Sequence, residues 1–414
     1  MSIEADALRW LGVFQEVAGA YQTDDATQSN FAHVPYEEGT LQATFGIEML
    51  DPLSGKIRLD GHDEKVIGPK GCTLAFASML HSHGQDLDGD VTPITKSTWP
   101  LLRILETIMG ASITTTNPAA QTIVVAGSTT TTAVEVTTAH GTRFQAGGVI
   151  ACETVASSTA LELREVLSVS GDIVSVKEAF SAAPITGQPV RGGTTVYLAE
   201  DPAASLQFWL EGREATDSAK LRGMQGSFSL TLPVGGRGQI AFSLTGAGWA
   251  REGSSAVTVP VYVGFSPMAL NPIELTVPTV GSTTRLVVPQ AELNIEPQIT
   301  YAPQRSGAAT ETIARMKRQP SRPICSGSWV APYEDDTWYS GRDNRTNYAV
   351  FAQCGNAAGS SVLVSLPTVQ IVDVQPAASG EGIAGQRVSW EARHDEAIAG
   401  ATEVGYSAMR IHFV

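Results

Sequence analysis

The chain has 414 residues, of which 17 % are charged, and 42 acidic against 27 basic side chains leave a formal charge of −15. That length predicts two or three domains of about 100–200 residues, and a low charge with abundant Gly, Thr, Ser, Ala and Val is the composition of short strands and tight turns. Nucleic-acid affinity by counterion release needs clustered Lys and Arg; the densest group is Arg315, Lys317 and Arg318 with Arg322 nearby, which argues against ordinary DNA or RNA binding.

Glu4 and Asp6 stand where a signal peptide carries Lys or Arg, which predicts folding in a cytoplasm. No run nears the roughly 18 apolar residues of a spanning helix, so no membrane insertion is expected. Residues 1–35 combine an amphipathic stretch around Leu8, Leu11, Val13 and Phe14 with a polar run from Tyr21 to Asn30, and read as a terminal arm. From Thr40, Leu41, Ala43, Phe45 and Ile47 alternate with polar or small residues as in a strand, and 73–79 reads as a second.

Next comes His81-Ser82-His83-Gly84-Gln85-Asp86-Leu87-Asp88-Gly89-Asp90. His81 and His83 at alternate positions of a strand would face one way, and Asp86, Asp88 and Asp90 supply hard oxygens at calcium-loop spacing. The bidentate Glu that closes an EF-hand loop is missing, so the plainer reading is an acidic surface loop without metal or cofactor. A helix is predicted over 97–109: Ser97 or Thr98 as cap, Pro100 in the first turn, Leu101, Leu102, Ile104, Leu105, Ile108 and Met109 as the apolar side, Gly110 as the stop.

Beyond Gly110 the composition turns Thr-, Ala- and Pro-rich, and short strands are predicted at 122–126, 133–137, 149–154, 161–169, 173–176 and 196–198, separated by Gly and Pro. This spacing predicts a small all-β domain inserted at 118–198, with Phe144, Phe180 and Tyr197 as its only aromatics. The first pattern resumes with strands at 205–211, 226–232 and 239–244, and 281–414 offers a further set at 293–300, 348–353, 361–366, 369–374 and 386–392. Met224-Gln225-Gly226-Ser227-Phe228-Ser229-Leu230 and its following strand can be laid over Val369-Gln370-Ile371-Val372-Asp373-Val374 and its successor, which points to an internal duplication, although hairpin patterns recur in any β protein. The expected division is an arm at 1–35, a first domain split over 36–117 and 199–280, the insert at 118–198 and a second domain at 281–414.

No residues assemble into a catalytic set. Gly235-Gly236-Arg237-Gly238 lacks the GK[ST] of a phosphate loop and reads as a hairpin turn, as does Arg191-Gly192-Gly193. There is no G-x-S-x-G or HExxH, and His394 and His412 lie alone in strand-like segments. Glu334-Asp335-Asp336, flanked by Trp329, Tyr333, Trp338 and Tyr339, reads as an exposed loop, with a glycosidase pair as the alternative. Cys72, Cys152, Cys325 and Cys354 form no CxxC pair and are expected as buried thiols.

The order of these elements resembles the tail tube proteins of long-tailed bacteriophages. The resemblance is carried by strands ending near Gly84, the Pro-led helix stopping at Met109-Gly110, the insert, and Leu221-Arg222-Gly223-Met224-Gln225-Gly226 running into Gly238-Gln239-Ile240-Ala241-Phe242-Ser243-Leu244-Thr245-Gly246. It implies a mainly β fold of sandwich or barrel tube domains, each with one short packed helix, whose sheets join edge to edge into rings that stack into a conduit for the genome. Three copies of a two-domain chain, or six of a one-domain chain, would complete a ring. Tape-measure and tail-terminator proteins would be partners, DNA would pass without adhering along a carboxylate-lined channel, the location would be the virion tail after assembly in a host cytoplasm, and the insert would project outward. The rival from another class is a β-sandwich adhesion or carbohydrate-active surface protein.

Overall fold

The computed structural model of the chain describes residues 2–3, 8–16, 31–50, 66–82, 99–115, 121–155, 160–199, 204–212, 218–233, 236–252, 274–282, 286–288, 292–305, 313–318, 324–333, 335–357, 359–378, 384–394 and 406–414. The fold is mainly β, as composition and alternation predict. The first group of elements is β1 (Ser2–Ile3), β2 (Leu8–Glu16), β3 (Ala32–His33), β4 (Gln42–Leu50), β5 (Val66–Met79), α1 (Pro100–Met109) and β6 (Gly110–Thr114). An excursion follows through β7 (Ala133–Glu135), β8 (Val149–Glu153), β9 (Leu161–Ser170) and β10 (Ile173–Val176). The chain then returns through β11 (Thr194–Leu198), β12 (Ser205–Gly212), β13 (Ser218–Leu232), β14 (Gln239–Gly246) and β15 (Gly248–Glu252). The last group is β16 (Glu274–Thr276), β17 (Val287–Val288), β18 (Glu292–Gln298), β19 (Tyr301–Arg305), β20 (Ile313–Arg318), β21 (Ile324–Pro332), α2 (Thr337–Asp343), β22 (Asn347–Cys354), β23 (Val362–Ala378), β24 (Ala384–Arg393) and β25 (Arg410–Phe413).

The same pairing scheme occurs twice. In the first occurrence β4 pairs β5, β5 pairs β14 and β14 pairs the C-terminal half of β13, while the N-terminal half of β13 lies between β12 and β15, and β12 continues to β2 and β3. In the second, β18 pairs β21, β21 pairs β24 and β24 pairs the C-terminal half of β23, while the N-terminal half of β23 lies between β22 and β25, and β22 continues to β16 and β17. A helix follows the second strand of each run, α1 after β5 and α2 after β21. Both occurrences are therefore one supersecondary unit used twice, and each long strand, β13 or β23, pairs with one set of strands along its N-terminal half and with another along its C-terminal half.

Alternation explains the sheets. Phe228, Leu230 and Leu232 of β13, Ile240, Phe242 and Leu244 of β14, and Leu74 and Phe76 of β5 are buried at every second position, and Phe76 and Phe242 meet with ring centroids 5.0 Å apart. In the second unit the same layer holds Trp329, Val388, Trp390, Ile371 and Val374, with Trp338 of α2 edge-on to Trp329 at 5.3 Å. Gly327 stands opposite Trp390 in the ladder, and a Cβ there would meet the indole and the Asn294 carbonyl oxygen. Gly327→Ala is accordingly expected to cost about 1–3 kcal/mol from overpacking, read as a lower urea midpoint with shifted tryptophan fluorescence.

The predicted helix forms over Pro100–Met109 with Pro in its first turn and Gly110 as a left-handed stop at φ 115°. Its neighbours differ from the expectation. Trp99 precedes it as the flanking residue, Ser97 and Thr98 lie outside the described residues, and the helix is not laid on an open sheet: all its residues but Arg103 are buried. It is enclosed by β2, β12 and β13 on one side and β6 and β11 on the other. Leu8–Glu16, expected in an arm, is a strand along the full length of β12, with Trp10, Leu11 and Val13 at 2 % exposure or less. Both faces of the strand are covered, Leu11 and Val13 in the main core and Trp10 against Phe31 and Trp209, so the stretch is a buried strand and not an arm.

Two expectations about the excursion change. Strands β7 to β10 and the buried Val124, Val134, Val136, Phe144, Ile150, Val174, Val176 and Phe180 make a small core of their own, but β11 pairs β6 and β25 and belongs to the main sheet. Gly192 and Gly193 form no turn; they are a close approach, where a Cβ at Gly193 would meet the Phe413 carbonyl oxygen. Residues 361–366 and 369–374 are not separate strands but parts of the continuous β23.

Candidate assembly interface

The two units are joined edge to edge. Leu230, Thr231 and Leu232 of β13 pair antiparallel with Ile295, Asn294 and Leu293 of β18, so one ladder runs β4, β5, β14, β13, β18, β21, β24, β23. A single row can be followed from Ser78 through Ile240, Leu230, Ile295, Gly327 and Trp390 to Ile371. At the ends of this ladder lie β4, whose outer side carries the two-residue β1, and the C-terminal half of β23. In β23, residues 371–378 are paired with β24 on one side, and among the described residues nothing pairs with the other side. β4 is the counterpart of β18, and the open side of β23 is the counterpart of the side of β13 that β18 occupies.

The open side of β23 carries the devices that blunt an exposed edge. The register shifts between Ile371 and Asp373, the Asp373 carboxylate accepts the Val374 backbone N–H at 2.9 Å, and Pro376 lacks a donor. Val372 is 55 % exposed beside them.

The face of the ladder turned away from the core is built of small and hydroxyl residues. Over Gln42–Phe45, 71–79, 225–232 and 239–246 it shows Gln42, Thr44, Thr73, Ala75, Ala77, Ser227, Ser229, Thr231, Gln239, Ala241, Ser243 and Thr245, with no charge among these, and the exposed Met79 opposite Gln239. Beside this face stand Glu37, whose carboxylate accepts the Gln239 amide, and Arg237 next to Met79, and in the second unit Glu292, Glu296 and Glu391 are interspersed with Arg387 and Arg393 around Asn294, Ser326, Ser328 and Ser389.

A second junction fixes the excursion to the second unit. Val149, Ala151, Leu161 and Leu163 are buried against Ala349, Phe351, Leu363 and Val414, and the Gln353 amide donates to the Leu161 carbonyl at 2.8 Å while accepting from the Leu163 N–H at 2.9 Å. Beside them lies a buried ionic cluster. Glu165 takes Arg410 Nη1 at 2.8 Å and Lys177 Nζ at 2.9 Å, with Glu165 and Arg410 wholly buried. His412 stands 3.9 Å away, its ring nitrogens engaged by the Thr195 and Ser365 hydroxyls at 2.8 and 2.9 Å. Burial alone would raise the Glu165 pKa, but Arg410 and Lys177 outweigh it and hold the carboxyl down at about 2. Burial pushes His412 down to about 3, against the pull of Glu165, so it is neutral.

The remaining sequence candidates do not converge. His81 is buried and its Nδ1 meets the Met79 carbonyl oxygen at 2.8 Å; burial lowers its pKa. His83, Asp86, Asp88 and Asp90 lie outside the described residues, and among the described residues no group of three or more potential ligands is brought together. Asp335 accepts the Thr337 backbone N–H at 2.9 Å and Asp336 accepts the Tyr333 hydroxyl, while Trp329 and Trp338 are turned into the core rather than toward a sugar; Glu334 lies outside the described residues. All four cysteines are free and buried, and burial raises Cys72 and Cys354 to about 12 and Cys152 and Cys325 further. Among the described residues no helix is long and apolar enough to cross a membrane.

No protein-family model matches the chain, and no curated protein matches it.

The ladder and its two ends were not visible as a site in the sequence, because an edge is a relation between strands that carries no residue motif. The overlay of 224–243 on 369–390 was the one signal that pointed to it.

Proposed function

We propose that this chain is a structural subunit of a closed, stackable ring, and specifically the tail tube protein of a long-tailed bacteriophage. The observation that carries the reading is the β13–β18 joint. One unit already receives the next by edge pairing inside the chain, and the same two edges recur at the ends of the ladder. A contact between unlike surfaces repeats head to tail and closes into a ring when the rotation allows.

The internal joint also sets the register of the joint between copies. Ala43 shares a row with Leu74, Leu244 and Gly226, two residues past Met224, the last β13 residue paired to β12. Ile295 shares a row with Gly327, Trp390 and Ile371, two residues past Val369, the residue that falls on Met224 when the two segments are laid over each other, while the β22 pairing itself runs on to Gln370. Ala43 is thus the counterpart of Ile295 and, allowing for the register shift in β23, Pro376 that of Leu230. The incoming copy places Ala43 opposite Pro376 and Thr44 opposite Gln375.

Three copies supply the six units that the resemblance implies. The hydroxyl-rich face then lines the channel, and its lack of clustered Lys and Arg gives passing phosphates few points to adhere. Tape-measure and tail-terminator proteins are the partners of such a tube in the virion. The test is negative-stain microscopy and sedimentation of the purified chain at rising concentration. Rings of uniform diameter, or hollow tubes, are expected; a monomer at every concentration refutes the reading.

A further inference from the structure

We infer that β1 is a removable guard on the assembly edge: the chain's own residues Ser2–Ile3 occupy the side of β4 on which a second copy must pair. This rests on the ring reading above. Ile3 pairs with Ala43 and Ser2 with Thr44, antiparallel. Ala43 therefore lies between Leu74 on one side and Ile3 on the other. Its counterpart Ile295 lies between Gly327 and Leu230. The place taken by β13 at the internal joint is the place taken by β1 at the outer one, with the same antiparallel sense.

The physical logic follows from the two edges. A free β4 edge would be a template for indiscriminate pairing, the hazard that native sheets suppress by covering or interrupting an edge. A two-residue strand covers it without sealing it, since so short a ladder makes few hydrogen bonds and yields to a longer competitor. The β23 edge, blunted by Asp373 and Pro376, and the β4 edge, covered by β1, then pair slowly with anything but each other. Assembly becomes an exchange of β1 for β23 of the next copy, and its threshold concentration is set by how readily β1 leaves.

Two variants of the full chain test this from opposite directions. Ile3→Pro removes a backbone donor from β1 and weakens its hold; ring formation, followed by light scattering and sedimentation, is expected at about tenfold lower protein concentration. Ser2→Cys with Thr44→Cys allows the guard to be locked by oxidation; the oxidised protein is expected to stay monomeric, and reduction to restore assembly in the same sample. If Ile3→Pro assembles at the same or a higher concentration than the unaltered chain, or if the locked protein forms rings, β1 is no guard, while rings from the unaltered chain leave the ring reading standing. If neither the unaltered chain nor either variant forms rings, the ring reading itself falls, and the guard with it.

Discussion

Glu165→Gln is expected to destabilise the protein by about 3–5 kcal/mol, because it strips the counter-charge from a cation that has no access to water. Arg410 is wholly buried, at 2.8 Å from Glu165, and Lys177 depends on the same carboxylate. Gln keeps the size and one acceptor but cannot balance either charge. Against a typical total stability of about 5–15 kcal/mol this is a large loss, measurable as a shift of the urea midpoint at unchanged slope. Replacing Glu165 and Arg410 together by Met is expected to cost less than the sum of the single replacements, since the orphaned charge goes with its partner. The cluster sits where β9 meets β25, so protease cleavage within 121–190 should rise in Glu165→Gln.

The same cluster fixes the acid response. His412 is depressed to about 3 and Glu165 to about 2, so in both cases the unfolded chain binds the proton more readily than the folded one. Stability is then full above the ordinary histidine pKa of about 6.5 and falls as the pH drops, first through His412 and, below about 4.5, through Glu165 as well. Urea midpoints should decline from about pH 6.5 downward, tracking a loss of stability of a few kcal/mol in all. In Glu165→Gln the decline below about pH 4.5 should be shallower.

The second large effect concerns the joint between copies. In the double variant Thr44→Cys, Gln375→Cys, mild oxidation of the assembled protein should convert most chains into covalent multimers that return to monomer on reduction. Thr44 and Gln375 are both exposed, on the outward face of their strands, and the internal joint predicts that they face one another across copies, at cross-strand distance. Neither single variant should yield multimers, because the four native cysteines are buried. Assembled rings that give no cross-link in the double variant would refute the register, and a cross-link between other positions would reset it.

Much of this fold is legible in local patterns. The helix over Pro100–Met109 announces itself by Pro100, its apolar face and Gly110, and most strands by strict alternation. What eluded the sequence is pairing. Leu8–Glu16 reads as an arm until β12 is beside it; Thr194–Leu198 reads as the last strand of the insert until β6 and β25 flank it. His412 and Glu165, separated by more than half the chain, signal nothing alone, because a buried ionic cluster is defined by which strands pack together. The candidate interface was hidden for the same reason: Pro376 and Asp373 look like ordinary strand interruptions, and only the ladder makes them an edge.

The β13–β18 joint has a consequence for the thermodynamics of closure. In any ring built from this chain, one joint per copy is made within a polypeptide and one between polypeptides. The inner joint forms at the high effective concentration of a tethered pair and forfeits no translational or rotational freedom. Fusing two units into one chain therefore halves the number of association steps a ring requires, and leaves each remaining step free to be weak and reversible, so that a wrongly seated copy can depart before the ring closes over it.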